Sequence, residues 1–142
     1  MTIEIRILQA DDASVLERVA DDVFDLQIDP RWTAEFLADP RHHLAVAIDG
    51  EIVVGMASGV HYVHPDKPPQ LFINEVGVAS THQGRGIGRH VLDALLEHGR
   101  RLGCSEAWVL TDESNSIARK LYAAAGGLLE PEPAVMYTFP LG

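Results

Sequence analysis

Cysteine is almost absent. Cys104 stands alone, which rules out an internal disulfide and makes a reducing cytoplasm the expected setting. Basic residues are scarce, 11 Lys and Arg against 21 Asp and Glu, and a net charge of −10 disfavours nucleic acid and favours a cationic partner. No apolar run approaches the roughly 20 residues of a membrane span, so no membrane partner is expected. The start, Met1 to Arg6, lacks the basic residues and apolar block of a signal peptide, and none is expected. The histidines lack metal-site spacing. His61 and His64 would face opposite ways on a strand, His90 and His98 miss the i, i+4 spacing of a helical site, and His42-His43 fares no better, so no metal is expected. Repeats, linkers and low-complexity segments are missing too. What is there is ordinary for a globular chain: 142 residues, 46% hydrophobic and 23% charged, enough for one domain over residues 1–142 with one core.

In chain order, Ile3, Ile5 and Ile7 alternate with Thr2, Glu4 and Arg6, which predicts a half-buried strand. Asp11 or Asp12 can cap a helix carrying Val15, Leu16, Val19, Ala20 and Phe24. Asp29-Pro30 is a second helix start, leading into Trp32, Phe36 and Leu37. Asp21, Asp22, Asp25 and Asp29 lie between them, either as a solvated face and cap or as an acidic wall for a polycation. Residues 44–48 and 52–60 are apolar runs joined by Asp49-Gly50, a strong hairpin signal, and Gly55 and Gly59 suggest a bulge or a close backbone approach. Strands are predicted over 71–79, 104–111 and 134–139. Helices are predicted after Gly86 and after the Asp112-Glu113-Ser114 cap, the last stopping at Gly126-Gly127.

The most informative stretch runs from residue 71 to 102. A buried strand leads into Gly84-Arg85-Gly86-Ile87-Gly88, and a helix follows. Alternating glycines leave the turn's N–H groups uncovered, and the first N–H groups of the helix lack internal partners at the positive end of its dipole. The result is a cradle for linked phosphates. It is not a Rossmann turn, because Arg89 and Val91 stand where the third glycine belongs, and it lacks the Gly-Lys-Ser/Thr ending of a P-loop.

Gln83-x-x-Gly86-x-Gly88 resembles the acetyl-CoA signature R/Q-x-x-G-x-G/A of the GNAT superfamily of N-acetyltransferases. Asn115, Ala118, Leu121, Tyr122 and Gly126 resemble that family's N-x-x-A-x-x-L-Y-x-x-x-G. Gly127 departs from relatives that often carry an aromatic there. The resemblance implies an α/β (α+β) fold in a single N-acetyltransferase domain. Its mixed central sheet would have about six to seven strands with four helices, splayed between the parallel strands 71–79 and 104–111. It implies acetyl-CoA as cofactor, with Val76, Gly77 and Val78 on its pantetheine arm and Val78 N–H as oxyanion donor. Gln83, Gly84, Arg85, Gly86, Ile87, Gly88 and Arg89 would hold the pyrophosphate, and Asn115, Ala118 and Tyr122 would complete the cofactor side. Glu75 is the expected base or ammonium anchor and Tyr122 the acid that protonates the leaving thiolate. Glu75, Asp112, Glu113, Asp25 and Asp29 are the candidate acceptor residues, suited to a cationic amine. Segments 36–40, 49–55, 75–78 and 135–139 resemble the type I aminoglycoside 3-N-acetyltransferases, which makes an aminoglycoside the expected acceptor. A polyamine, a protein N-terminus or another small amine is the alternative, and a non-catalytic cofactor-binding regulator is the reading from another class. Relatives are often dimers, so a homodimer is expected.

Overall fold

The computed structural model describes residues 2–142. Its sheet grows from the Asp49-Gly50 turn. Gly50 takes φ +65°, and the two-residue loop joins β2 (His42–Asp49) to β3 (Ile52–Tyr62) as an antiparallel hairpin. β1 (Ile3–Ile7) pairs with the outer edge of β2, and β4 (Gln70–Val78) runs antiparallel on the other side of β3. β5 (Glu106–Val109) adds in parallel to β4, giving the order β1-β2-β3-β4-β5. Parallel neighbours need a long crossover, and α2 (Ile87–Arg101) supplies it. β2 and β3 are buried on both faces because α2 covers one and the chain from residue 8 to α1 (Pro30–Ala38) covers the other. That is why these strands read as apolar runs without alternation. α3 (Ser116–Ala124) is the last regular element. Among the described residues no helix is long and apolar enough to cross a membrane.

The two strand glycines sit where sequence reasoning expected irregularity. Between Ala47 and Ile48 the β2–β3 register skips Val54, and a Cβ on Gly55 would lie 2.6 Å from Ile87 Cγ2. Between Ser58 and Gly59 the β3–β4 register skips Asn74, and a Cβ on Gly59 would lie 2.9 Å from Phe72 O. Both bulges pin the register of β3, a strand with no polar residue from Ile52 to Ala57 to set its faces.

Three expectations are corrected. Residues 11–24 do not form a helix: a 3-10 turn covers Ala13–Glu17, after which the backbone is taken by β3. Val53 N–H donates to Arg18 O and Ala20 N–H to Val53 O, each at 2.9 Å, so the groups a helix would need are already bonded. Residues 134–139 form no strand. Pro131, Pro133 and Pro140 punctuate a tail whose Val135, Met136, Tyr137 and Phe139 are 79–80% exposed, and the outer edge of β5 stays unpaired. Among the described residues the sheet therefore has five strands rather than six or seven, and there are three α-helices rather than four. Finally, Asn115 caps α3, not residues 112–114: its Oδ1 accepts from Ala118 N–H at 3.0 Å.

The histidines that made no pair in sequence meet in space. His43 on β2 is 6% exposed; its Nε2 lies 2.7 Å from His61 Nδ1 on β3, and its Nδ1 lies 3.0 Å from His98 Nε2 on α2. Burial, then the neighbouring His98 and His61, lower the His43 pKa to about 4. Unfolded, the ring would titrate near 6.5, so below that pH the unfolded chain binds the extra proton and the folded one does not. Stability should fall as pH drops from about 6.5 to about 4, by an amount on the order of 3 kcal/mol in all. Urea unfolding at a series of pH values checks this, and a His43→Gln variant should flatten that part of the curve.

Candidate active site

The site begins where β5 stops. Pairing with β5 runs from Gln70 opposite Glu106 to Ile73 opposite Val109, so residues 74–78 of β4 have a neighbour on the β3 side alone. Ala79 N–H donates to Val54 O at 2.8 Å, which fixes the direction of alternate peptides. Gly77 therefore turns its N–H and C=O to β3, whereas Val76 and Val78 turn theirs into the opening. The Val78 carbonyl there accepts the Gln83 side-chain amide at 3.4 Å. Two of the three residues expected on the pantetheine arm thus present main-chain groups to the gap, and Gly77 does not.

Next comes the glycine turn. Gly84 and Gly86 take φ +78° and +77°, and an added Cβ would touch nothing within 4 Å at either, so conformation alone requires glycine. Gly86 is the α2 N-cap and has no side chain to bond the first turn. His90 N–H reaches back to Gly86 O, which leaves the Ile87, Gly88 and Arg89 N–H groups without helical partners. Ile87, 3% exposed, seats the helix against Gly55, and Gly88 lies beside Val78 and Leu121. Among the described residues Arg85 makes no ion pair, whereas Arg89 Nε holds both Asp93 oxygens at 3.0 Å. One of the two expected phosphate-side arginines is therefore already engaged. A contact that sequence reasoning missed ties this turn down: His82 Nε2 lies 2.8 Å from Asp49 Oδ2 on the β2–β3 hairpin.

The other face of β4 carries Glu75. Burial raises its carboxyl pKa, and the Asp25 carboxylate raises it further. Asp25 belongs to a cleft of about 930 Å³ lined by Glu17, Asp21, Asp22, Asp25, Phe24 and Thr33 among others. Asp29 is engaged elsewhere, since its oxygens accept from Arg31 N–H and the Arg31 guanidinium, and it caps α1. Asp112 and Glu113 are exposed before α3 and do not line the cleft; their carbonyls accept from Asn115 N–H and the Arg119 guanidinium. Tyr122 is half-buried on α3, and burial raises its phenol pKa, so it holds its proton at neutral pH. Burial likewise raises the pKa of the Cys104 thiol, which favours the protonated form over the thiolate.

A sheet that opens between two parallel strands beside a bare helix N-terminus narrows the class, and comparison with known proteins gives it a name. The model of the Acetyltransferase (GNAT) family matches residues 6–126, and the chain belongs to that family. The L-2,4-diaminobutyric acid acetyltransferase of Streptomyces coelicolor is 30% identical over 120 residues, 80% of this chain and 67% of that one. N-alpha-acetyltransferase RimI of Mycobacterium tuberculosis is 37% identical over 90 residues, 63% of this chain and 54% of that one. An aminoglycoside acetyltransferase from an uncultured soil metagenomic sample, solved with sisomicin, superposes with a TM-score of 0.81 at 19% identity, covering 99% of this chain and 97% of that one. AAC(6')-Iy, solved with a bisubstrate analogue of coenzyme A, gives 0.80 at 20% identity over 99% of this chain and 100% of its own. At such identities the structures share a fold. The first curated relatives are longer proteins, of which this chain matches 34% to 54%.

The family's cofactor is acetyl-CoA. The donor set fits it: unpaired N–H groups at a dipole's positive end suit its linked phosphates, and the open β4 edge suits its amide-bearing arm. The His82–Asp49 bond should matter to this fit. His82→Ala leaves the Asp49 carboxylate, 10% exposed, without its partner. Its expected cost is about 1–3 kcal/mol in urea unfolding, together with a several-fold weaker coenzyme A Kd by titration calorimetry.

Proposed function

We propose that this chain is an acetyl-CoA-dependent N-acetyltransferase acting on a small amine that carries more than one positive charge. The observation that carries the reading is the unpaired edge of residues 74–78 running directly into a bare α2 N-terminus. Acetyl-CoA supplies an acyl group activated as a thioester. In this reading the main chain of Val76 and Val78 binds the pantetheine arm, and the N–H groups from Gly84 to Arg89, with the Arg85 guanidinium, hold the phosphates. Asn115 uses its oxygen in the cap and keeps its amide for the arm. The Val78 N–H meets negative charge growing on the acyl oxygen. Glu75 removes a proton from the acceptor ammonium, directly or through water, because an ammonium has no lone pair with which to attack. Tyr122 returns a proton to the departing sulfur.

Glu17, Asp21, Asp22 and Asp25 make the acceptor cleft anionic, which supports a polycationic substrate. An aminoglycoside fits that description, and acetylation at its 3-N position is the form we carry forward. The Streptomyces coelicolor relative supports a second reading, a diamino acid, for which the same carboxylates would bind the distal ammonium. Thiol release measured across aminoglycosides, polyamines and diamino acids decides between them. Turnover of an aminoglycoside, with product mass and NMR locating the new amide at 3-N, is expected; turnover of a diamino acid alone would establish the second reading. Glu75→Gln and Tyr122→Phe should each lower kcat by about 10²–10⁴-fold. Because the Glu75 pKa is raised, activity should fall on the acid side at a pH above the ordinary glutamate range as that carboxylate becomes protonated. The unpaired β5 edge and a tail whose Leu128 and Leu141 are 92% and 97% exposed support a homodimer, and a lone half-buried thiol supports a cytoplasmic setting.

A further inference from the structure

The chain from residue 21 to 28 carries Asp21, Asp22 and Asp25; a turn covers Asp21 and Asp22, but among the described residues no hydrogen bond ties the segment to the sheet. Something else must fix it. Upstream, the Arg18–Ala20 bonds to Val53 hold it, and downstream Asp29 caps α1. In between, Val23 is 2% exposed, and its main chain lies on β4 at Gly77. A Cβ at position 77 would stand 2.1 Å from Val23 O and 3.1 Å from Val23 C. Those are backbone atoms, which cannot step aside as a side-chain tip can. Gly77 has no positive φ, so this approach, rather than its own conformation, demands glycine.

We propose that Gly77 is the positioning residue of the acceptor side: by lacking a side chain it seats Val23 on β4, and that seat sets Asp25 against Glu75. The proposal rests on the reading of Glu75 given above. Glu75 and Gly77 are two apart on one face of the strand, and on the irregular segment laid over it the exposed Asp25 follows the buried Val23 by two residues. Asp25 is the charged group that acts on Glu75. Opposite on β3 stands Ser58, and β5 has already ended on the other side. Two carboxylates held together in this way favour a doubly charged acceptor and keep Glu75 more basic than an isolated glutamate.

The test is Gly77→Ala. The KM for the acceptor should rise about tenfold to a hundredfold, while the KM for acetyl-CoA changes far less. By carbon-13 NMR the Glu75 carboxyl should titrate lower than in the parent protein. Asp25→Asn, which removes charge without adding volume, should move the Glu75 titration the same way, and the double variant should shift it by less than the sum of the two. An unchanged Glu75 titration in Asp25→Asn overturns the proposal even if Gly77→Ala fails to fold. Fully additive shifts, or equal losses toward both substrates, also overturn it. Because the NMR titration needs no turnover, it stands apart from the catalytic reading, which Glu75→Gln activity tests separately.

Discussion

The governing constraint is a difference in length. β4 has nine residues and β5 four, and they start level at Gln70 and Glu106, so five residues of β4 have no parallel neighbour. A main-chain N–H or C=O needs a partner from protein, water or ligand. Past the end of β5 this stretch of β4 lies open at the rim of the sheet, with its main-chain groups available to a ligand. The bulge at Asn74 lies just where pairing to β5 ends, and it resets which face each later side chain takes. Glu75 and Gly77 then face residues 21–28, while Val76 and Val78 face α2. One irregular residue decides which later side chains meet residues 21–28 and which meet α2.

The helix that follows this open stretch is held by apolar contact rather than by polar capping. Ile87 fills the place a Gly55 side chain would occupy, and Gly88 rests beside Val78 and Leu121. Such a seat leaves the first-turn donors free, because nothing polar in the protein is spent on them. A serine or aspartate cap is not open to this position, because φ +77° at Gly86 is a conformation that residues with a side chain rarely adopt, so the first-turn donors stay uncapped.

Much of this was legible beforehand. The glycine turn, the strand before it and the helix after it are local features, and local spacing encodes them. The hairpin and the α1 cap were equally readable, since Asp49-Gly50 and Asp29-Pro30 carry their own geometry. What failed depended on distant partners. Val15, Val19 and Phe24 stand at helical spacing, yet the Val53 backbone claims their neighbours' hydrogen bonds. The 134–139 segment has strand composition, yet it does not join the free outer edge of β5. Gly77 looked like one more glycine of a cofactor strand, and only the Val23 carbonyl shows what it accommodates. His82 with Asp49 joins residues 33 apart in sequence, a separation no motif spans.

The chain of rings His61, His43 and His98 carries a further consequence. A neutral imidazole donates from one nitrogen and accepts at the other. With both His43 nitrogens engaged, its tautomer dictates that of the outer two, so the three rings share one direction of donation. Reversing it requires all three to exchange protons together. A single excess proton can be housed with both links intact, but a second cannot, because the middle ring would then have to accept on both sides. The bond between α2 and the central hairpin thus has a fixed capacity of one proton, set by the arithmetic of lone pairs.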